Sequence, residues 1–218
     1  MWPRRAWFLQ LLHKQNLTLA SLGLLWLLMV GTGLKILWDY EATPGSTRTP
    51  SSQWPSGSRI SRGPTATLVM FAHPHCPCTR ASIGELALLM ARCQGQVSAH
   101  VLFLKPQGFN GDWVHSDLWR SAAAIPGVQV AVDEDGQEAK RFSAMTSGYT
   151  LLYDRQGHVL FRGGITSSRG HSGENAGRDA IVSLLTTGRA ERTQTPVFGC
   201  SILNAPAEQP AEQPTGGK

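Results

Sequence analysis

A long apolar run near the N-terminus places the strongest constraint on how this chain can fold. Leu17 to Leu34 contains no charged residue, and Lys35 is followed by a further apolar group, Ile36 to Trp38. About 20 apolar residues span a bilayer, and a lysine at the edge can extend its amine toward the interface. We therefore predict a transmembrane helix over residues 17–38, which leaves enough chain for one ordinary globular domain.

The charges around this run predict its orientation. Three basic side chains precede the run and two acidic ones follow it: Arg4, Arg5, Lys14, Asp39 and Glu41. The positive-inside bias puts residues 1–16 in the cytoplasm and the main domain outside. A cleaved signal peptide is the alternative, but the run is longer than its usual apolar core and no Ala-x-Ala-like site follows. The sequence favours an uncleaved, single-pass signal anchor.

Composition marks off the globular part of the chain. Residues 39–64 are rich in Pro, Ser, Gly and Thr and are predicted to be a flexible linker. Residues 204–218 contain a duplicated AEQP and are predicted to be a disordered tail. The folded domain is therefore expected at 65–203. The formal net charge of +5 is dispersed along the sequence, which argues against nucleic-acid binding.

Alternating strand and helix patterns within 65–203 predict an α/β fold. Ala66 to Phe71 is a short apolar run typical of a buried strand, and Thr79 to Arg92 carries apolar residues at helical spacing. Continued along the chain, the order is β-α-β-α-β-α-β-β-α, with the last two strands forming a hairpin. This order predicts a three-layer α/β fold with a mainly parallel central sheet and a terminal antiparallel hairpin.

Two cysteines, Cys76 and Cys78, lie in the predicted turn between the first strand and the first helix, separated by Pro77. Unpaired amides at a helix N-terminus stabilise a thiolate, so the cysteine pKa can fall from about 8.5 to roughly 3.5–7.5. We expect Cys78, in the first helical turn, to be the better-stabilised thiolate. A disulfide across one intervening residue closes a small ring, which predicts a labile bond. Cys76 and Cys78 are therefore the predicted catalytic residues.

The same turn offers metal ligands. His73, His75, Cys76 and Cys78 lie within six residues, and two thiolates with imidazoles suit Cu(I) or Zn(II). The alternative hypothesis is therefore a copper or other metal chaperone that serves an extracytoplasmic metalloenzyme, whereas dithiol chemistry needs no cofactor.

Cys200 and Cys93 are the remaining cysteines. Cys200 lies in an apolar patch after the last predicted helix, and Cys93 follows the first helix at its far end. Cys200 could act as a resolving thiol, form a structural disulfide with Cys93, or simply pack. Cys93 by itself is typical of a buried small hydrophobe.

Phe71, the cysteine turn and the amphipathic helix after it resemble the thioredoxin superfamily. With the N-terminal apolar run and the stretch DEDGQEAKRF, residues 65 to about 190 are most similar to extracytoplasmic ResA/TlpA-type proteins. The CPCTRAS motif is closer still to RedB-labelled thioredoxin-like proteins. The resemblance implies protein thiols or disulfides as partners and a place on the periplasmic side of the bacterial inner membrane.

The resemblance also implies that the glycine-rich loop at 163–177 approaches the cysteine turn, so Arg169 and His171 could contact a substrate. A mobile connection is the other interpretation of that loop.

The chain departs from that family at two positions. The family has C-x-x-C where this chain has C-x-C, and the family's cis-proline corresponds to Tyr149 in Ser147-Gly148-Tyr149-Thr150. The resulting prediction is a membrane-anchored thiol–disulfide oxidoreductase that uses the C-x-C dithiol. A metal chaperone and a non-catalytic thioredoxin-like interaction module remain open alternatives.

Overall fold

The computed structural model describes the backbone of residues 4–203 and the side chains of residues 16–203. The predicted tail at 204–218 and the first three residues of the predicted cytoplasmic segment lie outside the described residues. The chain divides into two compact units, Met1–Ala42 and Thr43–Lys218.

The first unit contains one long helix, α1 (Arg4–Ala42). Its part from Asn16 to Ala42 is 27 residues long, its most apolar 18-residue window has a mean hydropathy of 1.9, and none of that window is buried. By length and composition this helix could cross a membrane. A signal sequence has the same properties, so the anchor predicted at 17–38 stays a prediction.

The second unit is built on the predicted order of strands and helices. It comprises β1 (Ala66–Ala72), α2 (Pro77–Arg92), β2 (Val97–Lys105), α3 (Gly111–Val114), α4 (Asp117–Ala123), β3 (Val128–Glu134), α5 (Gln137–Arg141), β4 (Thr150–Tyr153), β5 (Val159–Gly163) and α6 (Ala176–Thr187). The region predicted as one helix before β3 consists of two short helices, α3 and α4. Each has its own N-cap side chain: Asn110 accepts from the Trp113 amide, and Ser116 accepts from the Trp119 amide.

The five strands form one sheet in the order β3-β2-β1-β4-β5. β1 pairs in parallel with β2, and β2 pairs in parallel with β3. β4 runs antiparallel to both β1 and β5. The prediction of a mainly parallel sheet was therefore wrong, because the sheet is mixed. The predicted hairpin does not simply add an edge, since its first strand pairs with the central strand β1.

The two faces of the sheet are covered differently. One face carries α2, α4 and α6, whose apolar residues join the larger core, represented by Leu86, Leu118 and Ile181. The other face carries α5, residues from before β1 and residues from after α6, which contact a second core that includes Phe142 and Tyr153.

The segment predicted as a flexible linker packs onto this second face. The Trp54 ring lies 5.1 Å from the Phe142 ring and 5.0 Å from the Tyr153 ring, measured between centroids. Its amide donates to the Gly157 carbonyl at 2.7 Å. Hydrogen bonds such as that from the Ser58 hydroxyl to the Glu138 carboxylate hold the same segment, whose description as a flexible linker at 39–64 stays a prediction. The globular unit begins at Thr43 rather than at residue 65.

Candidate thiol site

The cysteine turn joins β1 to α2 as the sequence predicts. Cys76 is the N-cap of α2, with extended backbone angles of φ −86° and ψ 119°, and Pro77 occupies the first helical position. Proline suits that position because its missing N–H would have no helical partner. The Cys76 carbonyl accepts from the Thr79 amide at 3.0 Å, which closes the first turn of the helix. Cys78 therefore lies within the helix and Cys76 at its edge.

Cys200 lies directly against Cys76. Their Sγ atoms are 2.7 Å apart, although the two residues are separated by 124 positions in the chain. None of the four cysteines is joined in a disulfide. The Cys93–Cys200 disulfide considered from the sequence does not fit this arrangement, because Cys93 lies in the larger core at the opposite end of α2. Cys200 thus lies beside Cys76 in the thiol site, and its role as a resolving thiol stays a prediction.

Cys200 is carried by residues 195–202, here called the C-terminal segment, which pairs with residues 145–148, the Ser147 loop. The Ser147 amide donates to the Cys200 carbonyl at 2.8 Å, and the Ile202 amide donates to the Met145 carbonyl at 2.8 Å. Thr146 and Ser201 form an antiparallel bridge between these two bonds. The segment therefore adds a short strand beside the cysteine turn, and this pairing fixes the position of the Cys200 sulfur.

The three sulfurs differ in ionisation. The Cys76 pKa is lowered from its ordinary value of 9.0 to about 5, above all because the Cys200 thiol donates a hydrogen bond to it. Nearby amides of Cys200, Thr79 and Cys78 act in the same direction against the cost of burial. The Cys200 pKa is raised, since its proton is held in that bond. Burial and the neighbouring Cys76 charge raise the Cys78 pKa.

The expectation that Cys78 is the better-stabilised thiolate was therefore wrong. Cys76, as N-cap, faces the amides of the first turn and also has a thiol donor. Cys78 lies next to an existing negative charge, so forming a second thiolate is disfavoured.

Ser147 and Thr79 fix the cysteine turn against the Ser147 loop. The Ser147 hydroxyl accepts from the His73 amide at 2.9 Å and lies 2.7 Å from the Thr79 hydroxyl. Gly148 has φ +88°, a conformation that glycine adopts without steric cost. The sequence analysis assigned no role to either hydroxyl, although Ser147 lies two positions before the residue aligned with the family's cis-proline.

The Tyr149 side chain, at the position aligned with the family's cis-proline, packs away from the thiol site. It is buried in the second core, on the face away from α2. Burial raises its pKa to about 12. Every peptide bond between residues 4 and 203 is trans. The part of this loop that contacts the cysteines is Ser147, two positions earlier.

His73 and His75 pack around Trp113 of α3. The ring centroids of His75 and Trp113 are 4.7 Å apart, and those of His73 and Trp113 are 5.6 Å apart. The His75 Nε2–H donates to the Trp113 carbonyl at 2.8 Å. Within residues 16–203, no group of three or more His, Cys, Asp or Glu side chains is arranged to hold a metal ion. The alternative ligand set of Cys76, Cys78, His73 and His75 is therefore not assembled here.

Arg169 of the glycine-rich loop reaches the thiol site. Its Nη1 donates to the Gly199 carbonyl at 2.7 Å, next to Cys200. Its charge and a hydrogen bond to Cys78 lower the Cys78 pKa, in part offsetting the effects of burial and Cys76. His171 is exposed, and it forms hydrogen bonds with the backbone carbonyls of Arg169 and Ser168 in its own loop.

The glycine-rich loop is tied to α2 by a buried charge pair. Glu85 of α2 is 1% exposed and forms an ion pair with Arg178 of α6. The same carboxylate accepts from the Gly173 amide at 2.7 Å and from the Asn175 side chain at 3.1 Å. These contacts hold the C-terminal end of the loop against α2, because a desolvated carboxylate takes up the backbone and side-chain donors around it.

Comparison with known proteins supports the fold. Neither a protein-family model nor a curated protein matches the chain. Among solved structures, a hypothetical protein from Sinorhizobium meliloti matches at 21% identity and a TM-score of 0.54, over 74% of this chain and 94% of that one. An uncharacterized conserved protein from Geobacillus kaustophilus matches at 22% identity and a TM-score of 0.53, over 76% and 94%. The chain shares their fold.

A weaker match is a secreted Mycobacterium tuberculosis disulfide oxidoreductase described as homologous to E. coli DsbE. It is 13% identical with a TM-score of 0.40, and the match covers 56% of this chain and 80% of that one. A similarity at that level carries no argument about the function of this chain, which has to be argued from the thiol site itself.

Proposed function

We propose that this chain is a thiol–disulfide oxidoreductase whose reactive thiolate is Cys76. The observation that carries this proposal is the 2.7 Å approach of the Cys76 and Cys200 sulfurs at the N-terminus of α2. Two thiols at that separation can be oxidised to a disulfide with little movement of the backbone, since bonded sulfurs are about 2.05 Å apart.

The ionisation of the site suits exchange chemistry. Thiolates attack disulfides, and sulfurs of low pKa leave readily. With its pKa lowered to about 5, Cys76 is ionised at neutral pH. A stabilised thiolate also favours the reduced form of the protein, so a disulfide made by Cys76 is an oxidising one. The resemblance of the sequence to thioredoxin-like proteins points to the same chemistry. The sequence alone suggests a disulfide between Cys76 and Cys78, the two cysteines of the C-x-C motif.

The setting that we propose is the outer face of a membrane. The apolar part of α1 is long enough to span a bilayer, and basic residues precede it in the sequence. Oxidising extracytoplasmic compartments are where protein disulfides persist. Protein thiols and disulfides on the periplasmic side of the bacterial inner membrane are therefore the proposed partners.

The test is a thiol count on the full-length chain purified in detergent. After treatment with oxidised glutathione, we expect two of the thiols to be lost and then recovered with dithiothreitol. Cys76→Ala should abolish this reversible loss, and Cys93→Ala, which alters a cysteine of the core, should leave it intact. Reversible oxidation that persists in Cys76→Ala would contradict the proposal. A chain whose thiols do not respond at all would support the interaction-module alternative.

A further inference from the structure

Of the two adjacent cysteines, the one that ionises more readily is the less exposed one. Cys76 is the stabilised thiolate, yet only 1% of the residue is exposed. Cys200 is partly exposed and lies over it. A molecule that approaches this site from solvent therefore meets Cys200 first, and the reactive sulfur is covered by a residue of its own chain.

The cover is firmly held in place. On either side of Cys200, the side chains of Val197, Phe198 and Ile202 are buried. The Val197 carbonyl also accepts from the Gly45 amide at 2.8 Å, in addition to the bonds with the Ser147 loop. Moving the C-terminal segment away would expose those apolar side chains and break the strand pairing. Cys200 is thus a fixed member of the site.

We propose that Cys200, rather than Cys78, is the disulfide partner of Cys76, and that substrate thiols attack at Cys200. This inference rests on the proposed oxidoreductase function and names the residue through which substrates enter the reaction. The substrate class is a dithiol whose attacking sulfur can reach a partly exposed cysteine on the protein surface.

The proposed thiol–disulfide exchange takes two steps. A substrate thiolate attacks Cys200 Sγ of the oxidised protein, so a substrate–Cys200 disulfide forms and the Cys76–Cys200 bond breaks. Cys76 leaves with the electron pair of that bond as a thiolate. The second thiolate of the substrate then attacks the substrate sulfur of the mixed disulfide and displaces Cys200, which takes up a proton. The substrate is oxidised by two electrons to a disulfide, and the protein is reduced to two cysteines.

Cys78 is placed less favourably for a bond to Cys76. The side chains of Cys78 and Cys76 are within hydrogen-bonding reach of each other, but a disulfide between them would close a small ring, whereas the Cys200 sulfur already lies 2.7 Å from that of Cys76. Cys78 also interacts with Arg169, which holds the Gly199 carbonyl as well. Its surroundings keep Cys78 protonated and joined to the glycine-rich loop.

Disulfide mapping of the full-length oxidised chain tests the pairing. Trypsin releases Cys76 and Cys78 together in residues 63–80, and Cys200 in a separate peptide that begins at residue 193. We expect a cross-link between these two peptides, present also in Cys78→Ala and absent in Cys76→Ala. A disulfide internal to 63–80 would overturn this inference and leave the proposed function standing. No disulfide among the three cysteines would overturn both.

The point of attack is tested with reduced glutathione. Brief treatment of the oxidised Cys78→Ala chain, quenched with acid, should leave glutathione on the peptide that carries Cys200 while Cys76 becomes free. Glutathione found on residues 63–80 would overturn the assigned direction of attack. Cys200→Ser keeps a hydrogen-bond donor but cannot form a disulfide, and it should lose the exchange altogether. Exchange at the wild-type rate in that variant would also overturn the inference, and Cys93→Ala serves as the matched control.

Discussion

A sulfur atom at the edge of a helix is ionised here by a second sulfur. The hydrogen bond from Cys200 makes the largest contribution to the low pKa of Cys76. The amides at the start of the helix lower this pKa further. The titrations of Cys76 and Cys200 are therefore coupled, with the Cys76 pKa lowered and the Cys200 pKa raised. This arrangement makes ionisation at Cys76 depend on a residue that the local C-x-C motif does not contain.

The first prediction concerns the titration of Cys76. Its pKa is lowered, so the thiolate is populated above the folded-state value and protonated below it. Thiolate absorbance in the ultraviolet should rise through a transition centred near pH 5 in the reduced wild-type chain. Cys76→Ala should lack this transition. A first transition only near the ordinary value of 9.0 would contradict the prediction.

Two substitutions at Cys200 separate its roles as donor and as disulfide partner. Cys200→Ala removes the thiol proton that Cys76 accepts, so the transition should move to higher pH. Cys200→Ser retains a hydroxyl donor, and its transition should stay closer to that of the wild type. Equal titrations in the two variants would show that the amides alone set the Cys76 pKa.

At the scale of the elements, the thiol site depends on close contact between the C-terminal segment and the Ser147 loop. A Cβ atom at Gly199 would lie 2.0 Å from the Ser147 carbonyl oxygen, nearer than any real contact. Gly199→Ala should therefore push the segment away from the cysteine turn.

The second prediction follows from that contact. Gly199→Ala should raise the midpoint of the Cys76 titration, lower the yield of the Cys76–Cys200 disulfide and destabilise the fold by about 1–3 kcal/mol. Gly84→Ala is the matched control, because the new Cβ on α2 would meet only the Ser172 hydroxyl at 4.0 Å. A wild-type disulfide yield in Gly199→Ala would be the contrary result.

The third prediction concerns the buried pair between α2 and α6. Glu85→Gln or Arg178→Met leaves the other partner buried without its counter-charge, so each should lower the free energy of unfolding by about 3–5 kcal/mol. The double variant should lose less than the sum of the two. Urea denaturation followed by tryptophan fluorescence measures all three.

Glu134→Gln provides the control for this pair. Its ion pair with Lys105 is partly exposed, so its loss should change stability little. Equal effects at Glu85 and Glu134 would mean that the buried pair contributes no more than an exposed one.

Local patterns predicted the elements well and the contacts between distant elements poorly. The strand predicted at Ala66–Phe71 and the helix predicted at Thr79–Arg92 follow from apolar spacing, and the structure has them at Ala66–Ala72 and Pro77–Arg92. The approach of Cys200 could not be derived in the same way, because it depends on how residues far apart in sequence pair. Trp54 likewise holds a segment whose composition predicts flexibility.

At the scale of the whole molecule, the chain consists of an apolar helix and a separate globular unit that has both cores. The fourth prediction uses this division. The full-length chain should remain in the membrane pellet after an alkaline wash, whereas residues 43–218 should be soluble and show the same Cys76 titration. Recovery of the mature protein without its first 40 or so residues would instead identify α1 as a cleaved signal sequence.

The long separation between Cys76 and Cys200 also sets an order of events during synthesis. Cys76 and Cys78 emerge 124 and 122 residues before Cys200. Until the C-terminal segment docks, Cys76 lacks both its hydrogen-bond donor and its cover. The buried, hydrogen-bonded Cys76 sulfur is therefore completed only when most of the globular unit has been made, and a chain that ends prematurely has the C-x-C motif without that contact.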